Sequence, residues 1–199
     1  MSDVTLKEEV REKEAREKKT LGFWIYLMTD LVLFASLFAT FAVLRTATAG
    51  GPSGAELFDL PFVLLETMIL LTSSFTVGLA ILGAARGYKK QTIFWLLATF
   101  ALGVAFLAME LTEFSHLAAE GFSWERSAFL SAFFTLVGTH GLHIAVGLLW
   151  LGVMIVRLVR FKFKQTDLNR LALFGLFWHF LDVVWIFIFS IVYLIGSMA

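Results

Sequence analysis

Three of the four histidines and a handful of carboxylates stand inside long apolar runs, where ionisable groups are costly and carry a purpose. His179 and Asp182 are three residues apart, so on a helix they share one face, with Trp178 and Trp185 flanking it seven apart. His140 and His143 repeat that spacing in Gly138-Thr139-His140-Gly141-Leu142-His143. Asp30 interrupts another run, and Glu66 follows closely behind Pro61 in a third. Glu110, Glu113 and His116 advance by threes along one helix face and resemble half of a carboxylate metal site. No Glu-x-x-His partner occurs elsewhere, and the triplet falls where a span ends, so all three are expected at a solvated helix end.

Three chemistries suit the deep groups. They can hydrogen-bond across helices, each satisfying a polar atom that lipid cannot. Gly138, Gly141 and Gly147 favour that reading, because small residues let backbones approach. His140 or His143 facing His179 from a separate helix could ligate a haem or metal. Asp30, Glu66, Glu110, Glu113 and Asp182 could line an ion or proton path, although the polar stripe is thin. Cysteine is absent, which removes disulfides, thiolate metal sites, iron–sulfur clusters, a cysteine-bridged copper centre and covalently attached haem.

The elements that position these groups are membrane helices. The chain is 59% hydrophobic and 16% charged, and apolar runs recur throughout its 199 residues. Strand-like alternation is scarce, so an all-α polytopic bundle is expected over a barrel. Five spans are read at about 21–44, 61–84, 92–114, 128–156 and 171–195. Together they form a single transmembrane domain, 21–199, behind a charged leader, 1–20. The leader alternates six basic and six acidic residues, with Glu9–Lys13, Glu12–Arg16 and Glu14–Lys18 at helical pair spacing. It lacks the order of a cleaved signal peptide and reads as a solvated cytoplasmic extension. Trp24 and Tyr26 sit near the start of the first span as interface anchors. Gly50-Gly51-Pro52-Ser53-Gly54 supplies the turn after it. Fourteen of the sixteen lysines and arginines lie in the leader, the second loop and the fourth loop; Arg45 and Arg126 are the others. That asymmetry predicts a cytoplasmic N-terminus and a periplasmic C-terminus. At about 1.5 Å per residue, His140, His143 and Asp182 fall near the bilayer midplane, with His179 and Asp30 nearer the cytoplasmic face.

Several stretches resemble subunit III of the haem–copper oxidases. They are Trp178-His179-Phe180-Leu181-Asp182-Val183-Val184-Trp185, the Gly138–His143 run, Gly22-Phe23-Trp24-Ile25-Tyr26-Leu27-Met28-Thr29-Asp30, Leu37-Phe38-Ala39-Thr40, and Glu113 before Phe114. The resemblance covers about Leu21 to Met198 and fits the short bacterial form, which has five helices where many relatives have seven. Thr48-Ala49-Gly50-Gly51-Pro52-Ser53-Gly54 and Leu60-Pro61-Phe62-Val63-Leu64-Leu65-Glu66-Thr67 look most like the cytochrome o (bo-type) ubiquinol oxidase branch, with a cytochrome c oxidase as the alternative.

The resemblance implies a non-redox accessory subunit in a proton-pumping oxidase of the bacterial inner membrane. Haems, copper and the quinol site would belong to other subunits. This chain would pack on subunit I, beside subunits II and IV, and would bind phospholipid. It would help keep the oxygen-reducing site durable and supplied with protons. Asp30 matches a buried carboxylate that is usually glutamate in the family. Arg157 sits where the family has a basic residue near lipid headgroups. No nucleic-acid partner, metal or cofactor is expected on this chain. A stand-alone transporter or channel is the remaining alternative of a different class.

Overall fold

A computed structural model describes residues 3–51 and 54–198 of the chain, apart from the side chains of 3–10, 12, 55, 56, 165 and 198. The leader pairs that use Glu9 or Glu12, and the turn residues Pro52 and Ser53, lie outside the described residues. Six α-helices follow in order: α1 (Asp3–Leu44), α2 (Gly54–Leu57), α3 (Leu60–Ala85), α4 (Lys89–Ala119), α5 (Ala128–Arg160) and α6 (Gln165–Ile188). A π-helical turn, Phe189–Leu194, continues α6, and a 3₁₀ turn, Gly196–Met198, closes the chain. Five of these helices are long and apolar enough to cross a membrane. The shortest, α6, has 24 residues before the π turn, about 36 Å at the α-helical rise, which exceeds a ~30 Å hydrocarbon core.

The leader and the first span form one helix, because no proline and a single glycine, Gly22, fall between residues 3 and 44. Residues 13–20 of it are exposed. The buried face of α1 is Leu27, Asp30, Phe34 and Phe41, a spacing of three, four and seven that keeps Asp30 in register with the packing residues.

The chain reverses through defined caps. At the end of α3, Gly87 takes a positive φ of 77°. Its N–H bonds the Ala84 carbonyl, and that of Tyr88 bonds the Gly83 carbonyl, a pairing that stops the helix and ties off its last carbonyls. Gly121 does the same for α4, with Phe122 bonding Leu117. Asp59 and Ser127 cap the starts of α3 and α5 through side-chain oxygens. Asp167 accepts from the Lys164 backbone at the start of α6.

The last span lies at the centre. In its most apolar window 56% of residues are buried inside the protein, against 22% for α1. The core therefore runs along α6, with α3, α4 and α5 around it, while α1 packs on α5 and α6 from the outside. Large apolar side chains point outward all round, including Val32, Val43, Phe75 and Leu149. In hydrocarbon such a face carries no penalty, so what specifies the bundle is close packing and interhelical hydrogen bonding.

Candidate functional site: the intramembrane polar seams

The polar side chains inside the bundle sort into three groups. The first joins α3 to α6, which run antiparallel. Trp178 donates its indole N–H to Ser73 Oγ at 2.9 Å, and Trp185 donates to Thr67 Oγ1 at 3.0 Å. Between them His179 Nδ1 meets Ser74 Oγ at 3.1 Å, and the Ser74 hydroxyl donates to Asp182 Oδ2. His179 Nδ1 is itself 3.9 Å from that oxygen. One face of α6 thus presents alternating indoles and ionisable groups to a row of hydroxyls on α3. Thr76 and Thr99 extend the pattern to α4 at 2.8 Å. Interhelical bonds in membranes are worth roughly 0.6 kcal/mol each, so these five together contribute roughly 3 kcal/mol, and the four on α6 fix its register against α3.

The second group joins α1 to α5. His143 Nδ1 lies 2.7 Å from the Thr139 carbonyl oxygen, one turn back. A carbonyl only accepts, so Nδ1 carries the proton. His143 Nε2 then faces Asp30 Oδ2 at 3.8 Å, beneath the ring of Phe34. Asp30 and His143 are therefore neighbours, which sequence order alone does not reveal.

The third group is the most deeply enclosed. Glu66 on α3, Glu110 on α4 and His140 on α5 are 0%, 1% and 0% exposed. The Glu110 carboxylate rests against the backbone of Gly141, where a Cβ would come within 2.6 Å of it. Glycine here makes room for the acid. His140 is walled by the rings of Phe106 and Trp185, at 6.0 and 5.1 Å. Glu113, one turn past Glu110, accepts a 2.8 Å bond from the Tyr193 hydroxyl, which the π-helical turn delivers.

This placement corrects the expectation for Glu110, Glu113 and His116. Only His116 is solvated, its side chain 73% exposed and 3.7 Å from Glu120. Helix α4 runs on to Ala119, Gly141 of α5 lies against the Glu110 carboxylate and Tyr193 of the π turn bonds Glu113, so Glu110 is sealed and Glu113 half-buried. The three histidines weighed as haem or metal ligands do not converge: His143 faces α1, His179 faces α3, and His140 faces aromatic rings. Among the described residues no three histidine or carboxylate side chains are placed to hold a metal ion.

Arg157 donates its Nε–H to Asp167 Oδ1 at 2.7 Å, with Arg170 at 3.9 Å from the same oxygen. This knot ties the end of α5 to the start of α6. Sequence reasoning missed the partners on α3 and the π segment: Thr67, Ser73, Ser74 and Tyr193. Ser73-Ser74 in the middle of an apolar run was the available signal, since hydroxyls at that depth need a bond.

Residues 7–197 match the family model described as "Cytochrome c oxidase subunit III". The chain is 58% identical over 177 residues to "Cytochrome bo(3) ubiquinol oxidase subunit 3" of Pseudomonas aeruginosa, covering 89% of this chain and 85% of the relative. It is 46% identical to "Cytochrome c oxidase subunit 3" of Bacillus sp. (strain PS3), covering 92% and 88%. It is 43% identical to "Quinol oxidase subunit 3" of Bacillus subtilis, covering 93% and 91%.

Proposed function

The chain belongs to the cytochrome c oxidase subunit III family, and we propose that it serves as the haem-free accessory subunit of a respiratory ubiquinol oxidase in a bacterial inner membrane. One observation carries this reading. The five-helix bundle turns its long polar side chains inward to join its own helices, and leaves broad apolar faces outward for lipid and neighbouring subunits. The 58% identity to the Pseudomonas aeruginosa ubiquinol-oxidase subunit, against 46% to the Bacillus cytochrome c oxidase subunit, favours quinol over cytochrome c as the donor to the complex.

In this reading the haems, the copper and the quinol site belong to the partner subunits. The chain packs on the large subunit and retains phospholipid along its exposed faces. The ends that carry the basic loops face the cytoplasm, because lysine and arginine are retained there. The Asp30–His143 pair helps keep the neighbouring oxygen-reducing site supplied with protons.

Purification of the tagged chain in mild detergent tests the proposal. Co-migration with a haem-bearing large subunit that oxidises ubiquinol is the expected result. A monodisperse, haem-free homo-oligomer would mean a transporter or channel instead. A complex that oxidises only reduced cytochrome c would place the chain in the other branch.

A further inference from the structure

Glu66, Glu110 and His140 hold six side-chain atoms with no hydrogen-bond partner in the protein: four carboxylate oxygens and both imidazole nitrogens. Each residue is sealed from solvent. Their surroundings make the arrangement costly if every acid is ionised. From α3 comes Glu66; from α4 come Glu110 and Glu113; from α5 comes His140, with His143 acting on it; from the π segment comes the Tyr193 hydroxyl. From α1 comes the Phe34 ring beside His140, and from α6 the Trp185 ring. Trp185 joins the groups: it bonds Thr67, next to Glu66, and its ring lies 5.1 Å from His140 and 6.2 Å from Tyr193, while Glu110 rests on Gly141, next to His140. Among the described residues, no lysine or arginine forms an ion pair with any of the three glutamates. One hydroxyl therefore serves six carboxyl oxygens, and three like charges would share a space of low polarisability.

The backbone is shaped to this cluster at two independent places. Gly141 leaves room for the Glu110 carboxylate that any Cβ would remove. The helix ending α6 widens to π geometry over Phe189–Leu194, with the Ile195 N–H bonding Ser190 O at 3.1 Å. That widening rotates the following residues and brings Tyr193 onto Glu113. π turns are rare and recur at working sites.

We infer that Glu66, Glu110, Glu113, His140 and Tyr193 form a closed proton-holding site at the α2 end of the bundle. Its ligand is the proton, shared among the carboxyl groups. A proton passing from the Glu66 carboxyl to the Glu110 carboxylate breaks one O–H bond and forms another, leaves the net charge unchanged, and needs no electron donor or acceptor. Exchange with the aqueous phase runs through Glu113, which is half-buried and feels the exposed Asp59 at the start of α3. Asp30 faces His143 at 3.8 Å between α1 and α5 and is not part of this site.

Infrared difference spectroscopy of the assembled membrane complex tests this without recourse to turnover, so it can fail while the subunit assignment stands. At least one of the two difference spectra, native complex minus Glu66→Gln or native minus Glu110→Gln, should show loss of a protonated-carboxyl C=O band that shifts in D2O. Loss of ionised-carboxylate bands only, in both variants, overturns the inference. Tyr193→Phe guards against variants that fail to assemble: it keeps the shape and removes the one donor to Glu113. It should shift a carboxyl band assigned to Glu113 by the Glu113→Gln spectrum. An unshifted spectrum in Tyr193→Phe would equally overturn the inference.

Discussion

Gly103→Ala should loosen this protein more than any exposed glycine substitution, and the reason is the position of Trp178. Its indole is fully buried and pinned through its N–H to Ser73. It lies between two glycines from different helices. A Cβ at Gly103 would come within 3.0 and 3.1 Å of the indole and 2.8 Å of Leu148 Cδ2. On the opposite side, Gly147 already sits so close that a Cβ there would meet the ring at 3.0 Å. The indole cannot retreat without striking α5 or leaving Ser73. Overpacking of this kind costs about 1–3 kcal/mol, and losing the Ser73 bond about 0.5–1.5 kcal/mol more. Alanine's better helix propensity returns about 1 kcal/mol. The net loss is about 2 kcal/mol. Gly78 on α3 is the control, being exposed with no atom within 4 Å of the added Cβ. There the propensity gain acts alone, so the two variants should differ by about 3 kcal/mol. The assay is retention of the chain in the purified complex during a detergent and temperature titration. If Gly103→Ala dissociates no earlier than Gly78→Ala, the packing argument for the α4–α5–α6 core is wrong.

Three further substitutions probe the seams. Asp182→Asn exchanges the acceptor of the Ser74 hydroxyl for an amide, and should weaken assembly or lipid retention while haem content stays constant, measured by pyridine haemochrome on the purified complex. Trp185→Phe keeps the ring against His140 and Phe106 but abandons Thr67, and should cost about 0.5–1.5 kcal/mol in the same dissociation titration. Asp30→Ala removes the partner of His143. Initial quinol oxidation should be near normal and should decline faster during sustained turnover; an immediate collapse would mean that Asp30 acts directly in the reaction.

Much of this was legible in the sequence because membranes impose few choices. Long apolar runs with isolated charges can only be helices, and their ionisable residues must turn inward. That placed Asp30, Glu66, His140 and Asp182 inside the bundle before any coordinates. Which of them meet was not legible, because helix order in the chain does not set helix adjacency. Asp30 reaches α5, not its sequence neighbour α3, while His179 and Asp182 find hydroxyls over a hundred residues away. Glu110 was misjudged for a related reason. Distance from a span's edge measures exposure only for a helix that ends alone, and here α5 at Gly141 and the π turn close over it. The π turn itself has no composition signal in Phe189–Leu194, an ordinary apolar stretch.

The central claim is that these buried polar groups bind helices together and exchange protons, while electrons move through neighbouring subunits. Releasing this chain from the purified complex with a harsher detergent, and recording the absorption spectrum of both fractions, tests it most directly. All Soret absorbance should stay with the remaining subunits. A Soret band that travels with this chain would contradict the account.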